Sequence, residues 1–182
     1  MDNDDIDVNS TGANVSIRIH RAFIPVDTSS IGAGATVTAA SLWLEVKYIY
    51  NDDSPSDANA CIQLVGPTTQ ASTSEVAVGD YDACGAVDSP DTWSSCIDIG
   101  AMVQDEKEEF VFTDVTDVVV DGYTKIGART GWDIQDVIVP NPGVSYQGAR
   151  VRFYASETTG TADDPYLAVT YTAPAGGLII FD

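Results

Sequence analysis

Apolar and polar residues alternate with a period of two along much of this chain, and this alternation is the strongest constraint on its fold. The segments VSIRIHRAFI (15–24) and ASLWLEVKYIY (40–50) show it most clearly, because successive side chains of a strand point to opposite faces. Further strand-like segments, separated by loops rich in Gly, Pro, Ser and Asp, are 61–65, 108–114, 124–132, 149–156 and 166–172. Helical periodicity is nearly absent, so we expect an all-β protein, an antiparallel jelly-roll-like β-sandwich.

Strand alternation also predicts which side chains form the core. The residues expected to face the interior are Leu42, Leu44, Val46, Ile126, Val151, Phe153, Leu167, Val169 and Tyr171. In the first strand-like segment, Ile17, Ile19 and Phe23 share one predicted face. Arg21 lies on that same face, so we expect a partly buried guanidinium that needs a carboxylate partner.

The 182 residues suffice for one well-buried core. We expect a polar N-terminal segment over 1–14, one sandwich domain over 15–172 and a tail over 173–182. The tail has four consecutive apolar residues behind a Gly-Gly hinge, namely Leu178, Ile179, Ile180 and Phe181. Because such a run gains from burial on both faces, we expect it to dock on a neighbouring chain as an added strand or a plug. The alternative is closure of the chain's own sandwich.

The chain is strongly acidic, with 28 Asp and Glu residues against 8 Lys and Arg residues and a formal net charge of -20. Such a surface repels nucleic acid and anionic membranes, and no apolar run reaches the roughly 18 residues of a membrane span. We therefore expect neither nucleic-acid binding nor membrane insertion. The first residues lack the basic start and apolar run of a secretory signal, so either a leader has been removed or the protein reaches its site without export.

Neither the cysteines nor the histidine indicate catalysis. Cys61, Cys84 and Cys96 are an odd number without metal-ligand spacing. One bridge, Cys84 to Cys96, is geometrically easy, and three unpaired thiols are the alternative. His20 is the single histidine and lies in a predicted strand. No motif of a nucleophile elbow, a phosphate loop or a metalloprotease is present, so we predict a non-enzyme without catalytic residues.

Two parts of the sequence resemble a known family. RAFIPVDTSSIGAGATVTAASLWLEV (21–46) is similar to the opening of DNRLRE-type modules, and the segments TKIGARTGWDIQD (124–136) and VRFYASETTGTADDPYLAVTYT (151–172) resemble the last three strands of such modules. These modules are jelly-roll domains, similar to carbohydrate-binding modules, in bacterial and archaeal surface proteins and in phage genomes. The DNRLRE string itself is absent from this chain.

We expect structural ion pairs that tie loops to the sandwich. The residues concerned are Arg21, Asp27, Arg129, Asp133 and Glu157, and the family pattern implies Asp27 and Glu157 as the partners of Arg21. The resemblance also implies a strand ahead of the Arg-bearing one. Because the first fourteen residues are mostly polar, we expect that strand to be missing and an unpaired sheet edge to seek a partner.

Two further kinds of site are predicted. Asp163 and Asp164, just before the last strand, offer the oxygen ligands that calcium prefers, and the resemblance implies a structural calcium near the chain termini. Turn formation is the alternative role for these residues. Trp43, Trp93 and Trp132 are candidates for stacking on glycans, with packing in the core as the alternative.

Two classes of non-enzymatic function fit these features. The first is a structural assembly protein on a particle or filament, such as a virion decoration or fibre protein or an extracellular filament subunit, with other protein subunits as partners. The alternative is a carbohydrate-binding or adhesion module with glycans as partners. Both predict a location on a virion surface or outside the cell.

Overall fold

The computed structural model describes residues 5–13, 16–51, 58–137, 147–155 and 162–174. Their strands are β1 (Asp5–Ala13), β2 (Ser16–His20), β3 (Ala22–Asp27), β4 (Thr36–Asn51), β5 (Cys61–Val65), β6 (Ile97–Asp98), β7 (Lys107–Val111), β8 (Tyr123–Thr130), β9 (Gln147–Tyr154) and β10 (Tyr166–Thr172). One helical turn, α1 (Gly131–Ile134), and three short 3-10 turns, Ser29–Ile31, Val78–Ala83 and Ile99–Ala101, accompany them. The strands form two antiparallel sheets, which confirms the predicted all-β sandwich.

The long strand β4 organises the first sheet. It pairs with β10 through 36–43, with β7 through 41–45 and with β9 through 46–51. The N–H of Val46 donates to the carbonyl of Glu106, and its carbonyl accepts from the N–H of Asp105. Because these bonds occupy the β7 side of Val46, β9 reaches that residue from the side that β10 uses. β9 and β10 therefore lie end to end along one side of β4, with β7 along the other.

The chain passes from the first sheet to the second at Arg21. β2 pairs with β1 in the first sheet, whereas β3 pairs with β8 in the second, whose order is β3-β8-β5-β6. The sequence predicted one strand over 15–24 with Phe23 facing the core. Instead Ala22 and Ile24 are buried in the main core, and Phe23 packs half-buried on a smaller cluster. This prediction is wrong because the chain moves to the second sheet at Arg21, and the side chains of 22–24 therefore point in other directions than in one continuous strand.

The segment before Arg21 also differs from expectation. Residues 1–14 were expected to be a polar segment ahead of the domain, yet β1 covers nine of them and lies between β9 and β2. Asp5 is opposite Tyr154, and Asn9 is opposite His20. The Arg-bearing segment thus has a strand before it, and the edge expected from a missing strand is occupied.

Most of the predicted core is confirmed. Six of its members are fully buried, namely Leu42, Leu44, Val46, Ile126, Val151 and Phe153. Leu167 and Val169 are half-buried and pack against this core, but Tyr171 is 43% exposed, so its prediction is wrong. The reason is that β10 is the last strand on its side of the sheet, and its register shifts between Thr170 and Tyr171. None of the described helices is long and apolar enough to cross a membrane.

Candidate functional site

Arg21, Arg129 and Asp133 form a buried ion-pair cluster where the chain changes sheet. Arg21 donates from Nε and Nη2 to the two carboxylate oxygens of Asp133, each at 2.8 Å, and Arg129 donates from Nε to Oδ2 of Asp133 at 2.7 Å. Their side chains are at most 4% exposed. Asp133 lies in the turn α1, four residues after Arg129. The hydroxyl of Thr130, the N-cap of α1, accepts a hydrogen bond from the N–H of Asp133 and so fixes the position of this residue.

The electrostatics of the cluster keep Asp133 ionised. Burial alone would raise the pKa of Asp133, but hydrogen bonds from Arg21 and Arg129 outweigh that effect and leave the pKa below its ordinary value. The two arginines therefore share one permanent carboxylate, and their remaining donors must find other acceptors.

The remaining donors of Arg21 and Arg129 form hydrogen bonds that hold the segment 66–96 against the second sheet. Arg129 donates to the carbonyls of Ala86 and Val87 at 2.6 and 3.0 Å. Arg21 donates to the carbonyl of Tyr81 at 2.8 Å, and its guanidinium lies 4.0 Å from the centre of the Tyr81 ring. Because these donors point at the chain's own carbonyl groups, the cluster has a structural role.

The predicted ion pairs are therefore correct in part. Arg129 and Asp133 do pair, but Arg21 takes Asp133 as its partner instead of Asp27. Asp27 is exposed at the far end of β3, six residues and about 20 Å of strand from Arg21, and accepts from the N–H of Ser29. Glu157 lies outside the described residues.

The disulfide also differs from the prediction. Cys61 is bonded to Cys96, while Cys84 is free and buried. The pairing of β5 with β6 places Cys61 opposite Asp98 and so brings it close to Cys96. Burial raises the pKa of the Cys84 thiol to about 11, so this thiol is protonated and unreactive at neutral pH.

Two of the three tryptophans proposed for glycan stacking are core residues. Trp93 and Trp132 are 1% and 2% exposed, so neither presents a ring face on the folded surface. Trp43 is half-buried on the outer face of β4, where it stacks on Tyr166 with ring centres 5.9 Å apart and planes 9° apart. Lys107 lies over the Tyr166 ring at 5.1 Å. Trp43 and Tyr166 thus form the aromatic pair that could meet a ligand.

The calcium prediction gains no support. Among the described residues, no group of three or more His, Cys, Asp or Glu side chains is arranged to hold a metal ion. Asp163 faces Glu45 instead, where partial desolvation, and then the charge of Asp163, raise the pKa of Glu45. The charge of Asp163 disfavours the ionised form of Glu45, and this effect adds to the larger effect of desolvation.

In the part of the chain that the structure describes, the outermost strands of the two sheets differ in how their edges are protected. β2 carries Arg18 and His20, β7 begins with three charged residues, β3 contains Pro25 and ends in Asp27, and β6 has only two residues. Charge, proline and shortness are the usual means of keeping an edge from pairing with another chain. β10, YLAVTYT, has seven residues with none of these means.

Within the part of the chain that the structure describes, β10 pairs only with β4. Its outer edge is therefore a row of N–H and C=O groups that no other described strand pairs with. Sequence reasoning missed this site, although the absence of charge over 166–172 in a chain with 20% charged residues was a usable signal. The apolar residues Leu178 to Phe181 of the tail lie outside the described residues.

Comparisons of this chain with family models, with curated proteins and with solved structures find no match.

Proposed function

We propose that this protein is a non-enzymatic structural subunit of an assembly on the surface of a virion, as a decoration or fibre protein, or of an extracellular filament. Its copies join through the outer edge of β10. The observation that carries this proposal is the contrast between β10, which lacks any protection against pairing, and the four protected margins. An uncharged edge of this length is an acceptor for a strand of another chain.

The energetics of the edge favour addition of a strand. Each hydrogen bond that an added strand forms contributes about 0.5–1.5 kcal/mol net. In addition, Leu167 and Val169 are only half-buried, because nothing among the described residues covers their outer flank. A further apolar strand would remove this flank from water, at roughly 25 cal/mol per Å² of apolar surface.

The charge of the chain makes such an edge selective. Copies with a net charge of -20 repel one another at low ionic strength, so random contacts between their surfaces are suppressed. Association then requires a specific contact that outweighs the repulsion. The rigidly fastened segment 66–96 and the buried core suit a subunit that keeps its shape in an assembly.

The mass of the native protein tests this function. We expect oligomers whose population rises with protein concentration and on going from 0.15 to 1 M NaCl, measured by sedimentation velocity. Lysines at the exposed positions Ala168 and Thr170 should block the edge and leave monomers. The matched control places lysines at Val103 and Val111, which are 49% and 58% exposed, and should assemble normally. A wild-type protein that stays monomeric under all these conditions would contradict the proposal.

A second candidate function is carbohydrate binding. The stacked pair of Trp43 and Tyr166 favours it, because Tyr166 is 44% exposed and Lys107 supplies a hydrogen-bond donor beside its ring. Affinity electrophoresis through soluble xylan, β-glucan and mannan would test it. Retardation of the wild type that Tyr166→Ser abolishes supports glycan binding at this pair, and equal mobility of both proteins in all three gels contradicts it.

A further inference from the structure

We infer that the open edge of β10 is filled by residues 178–181 of a second copy, so that copies join head to tail. This inference rests on the proposed function and names the partner of its contact. The donor is the apolar run LIIF, and the acceptor is the strand YLAVTYT of the next copy.

The pairing of β4 shows which groups the edge offers. The carbonyl of Ala40 accepts from Phe112, and both backbone groups of Val46 bond on the β7 side. Since backbone groups of a strand alternate between its two sides, Ser41 and Trp43 direct theirs to β10, where their partners are Ala168 and Tyr166.

Leu167 and Val169 therefore direct their N–H and C=O groups to the open side. Their side chains are the half-buried ones that pack against the core. The edge thus combines donors and acceptors that have no partner among the described residues with an apolar flank on its inner face.

The run LIIF fits this edge on both faces. In a strand added beside β10, alternate side chains would cover the flank of Leu167 and Val169. The others would lie on the outer face beside Ala168 and Thr170, which are small and exposed. Four residues without charge or polar alternation suit an edge that is itself uncharged.

The course of the chain after β10 favours a second copy over closure within one chain. Thr172 is opposite Thr36 at the start of β4, and Pro174 then lies beside Gly34, where a Cβ on the glycine would be 3.6 Å from the Cβ of the proline. The chain therefore runs straight on past the end of β10 and has not turned towards the open edge by Pro174. Closure within one chain would require a hairpin reversal in residues 175–177, whereas docking on a second copy requires no reversal.

Charge also favours the tail over direct pairing of two β10 edges. Pairing of one edge with the other would bring two bodies of charge -20 into contact along the whole strand. A tail on a short linker forms the same kind of ladder while the two bodies stay further apart.

Mixing two complementary variants tests the inference. The first, Ala168→Lys/Thr170→Lys, has a blocked edge and an intact tail. The second stops after Pro174, so that it has an open edge and no tail. We expect each to be monomeric alone, and an equimolar mixture at 1 M NaCl to form a heterodimer and nothing larger, by sedimentation velocity and native mass spectrometry. The control variant Val103→Lys/Val111→Lys should assemble like the wild type, and circular dichroism should show all variants folded.

Each contrary outcome has a distinct meaning. If the wild type assembles and the edge-blocked variant does not, but the mixture forms no heterodimer, the tail is not the occupant and the proposed function stands. If the chain that stops after Pro174 still assembles, two β10 edges pair directly and this inference is wrong. If the wild type is monomeric and loss of 175–182 lowers its melting temperature, the tail closes its own sandwich, and both proposals fail.

Discussion

The segment 66–96 and the strand β10 both lie at the margin of a sheet, but their backbone groups are satisfied differently. Carbonyls of the segment accept from Arg21, Arg129 and Lys125, which are three of only eight basic residues in the chain. A disulfide closes the same segment at its end. β10 has no such residue, and its outer carbonyl and N–H groups have no partner among the described residues.

This difference shows how a very acidic chain uses its few basic side chains. Where a loop must stay in place, two buried arginines satisfy several carbonyls and share one carboxylate. Where a strand is left without charge, no charged side chain on that strand opposes the approach of another strand. The segment 66–96 is thus bonded within its own chain, whereas the outer edge of β10 is available to a neighbouring copy.

The largest effect should follow from removal of Arg129. Arg129→Met removes one of the two arginine partners of the buried Asp133 carboxylate, and it leaves the carbonyls of the exposed residues Ala86 and Val87 without this donor. We expect a loss of about 3–5 kcal/mol in the free energy of unfolding, measured in urea. The control Lys107→Met, on the outer face of the sheet, should change it by less than about 1 kcal/mol. Equal losses for both variants would show that the segment 66–96 is not fastened by Arg129.

Loss of the disulfide should also have a large effect. Cys61 and Cys96 are separated by 35 residues, and the chain-entropy model assigns a cross-link of this span about 4 kcal/mol. We expect the double variant Cys61→Ala/Cys96→Ala to lose about 2–4 kcal/mol in the same urea experiment. A reducing agent should destabilise the wild type to a similar degree and leave the double variant unchanged. A response of the double variant to the reducing agent would contradict this pairing.

The disulfide also shows which contacts could not be predicted from the sequence. Alternation is a local property, so it located most strands and the six fully buried core residues. Cys84–Cys96 was one of two alternatives, the geometrically easy bridge across a short loop, but the pairing of β5 with β6 decides which thiol is near Cys96. The partner of Arg21 is 112 residues away in the sequence, and a local pattern of residues does not predict a contact over that separation.

The errors at the two ends of the domain have a similar cause. DIDVNSTGA alternates only over its first residues, where Ile6 and Val8 are its two large apolar side chains, yet the whole segment becomes β1 because β2 and β9 supply partners on both sides. Tyr171 has the alternation of a core residue, yet it is exposed because β10 lies at a margin and shifts register beside it. Both outcomes depend on which strands are neighbours, and that information is not local.

A pair of leucine truncations should measure how open the β10 margin is. Leu44→Ala removes a fully buried side chain of β4 and should cost about 3–4 kcal/mol. Leu167→Ala on β10 should cost about half as much in the monomer, because Leu167 is only half-buried. Thermal or urea unfolding of dilute protein gives both values. If Leu167→Ala costs as much as Leu44→Ala under conditions where the protein is monomeric, β10 is already covered and its edge is not open.

The smallest effect should come from Glu45, beside the paired ends of β4 and β10. Partial desolvation and the charge of Asp163 raise the pKa of Glu45, whereas hydrogen bonds from two arginines, against the effect of burial, lower the pKa of Asp133. The two carboxyls therefore affect stability in opposite directions. Lowering the pH through the depressed pKa of Asp133 removes stability. Protonation of Glu45 adds stability, which is fully present below the pKa of Glu45 in the unfolded chain and is lost as the pH rises through its raised pKa in the folded protein.

Glu45→Gln mimics the protonated form, so it should stabilise the protein at pH 7 by a few tenths of a kcal/mol, a small gain because the site is largely solvated. This gain should shrink as the pH falls towards 4, and 1 M NaCl should reduce it by screening the charge of Asp163. Melting temperatures of the wild type and the variant at pH 7 and pH 4, with Glu109→Gln as the exposed control on the neighbouring strand, provide the test. A destabilised variant at pH 7 would mean that Glu45 has a favourable partner that outweighs Asp163.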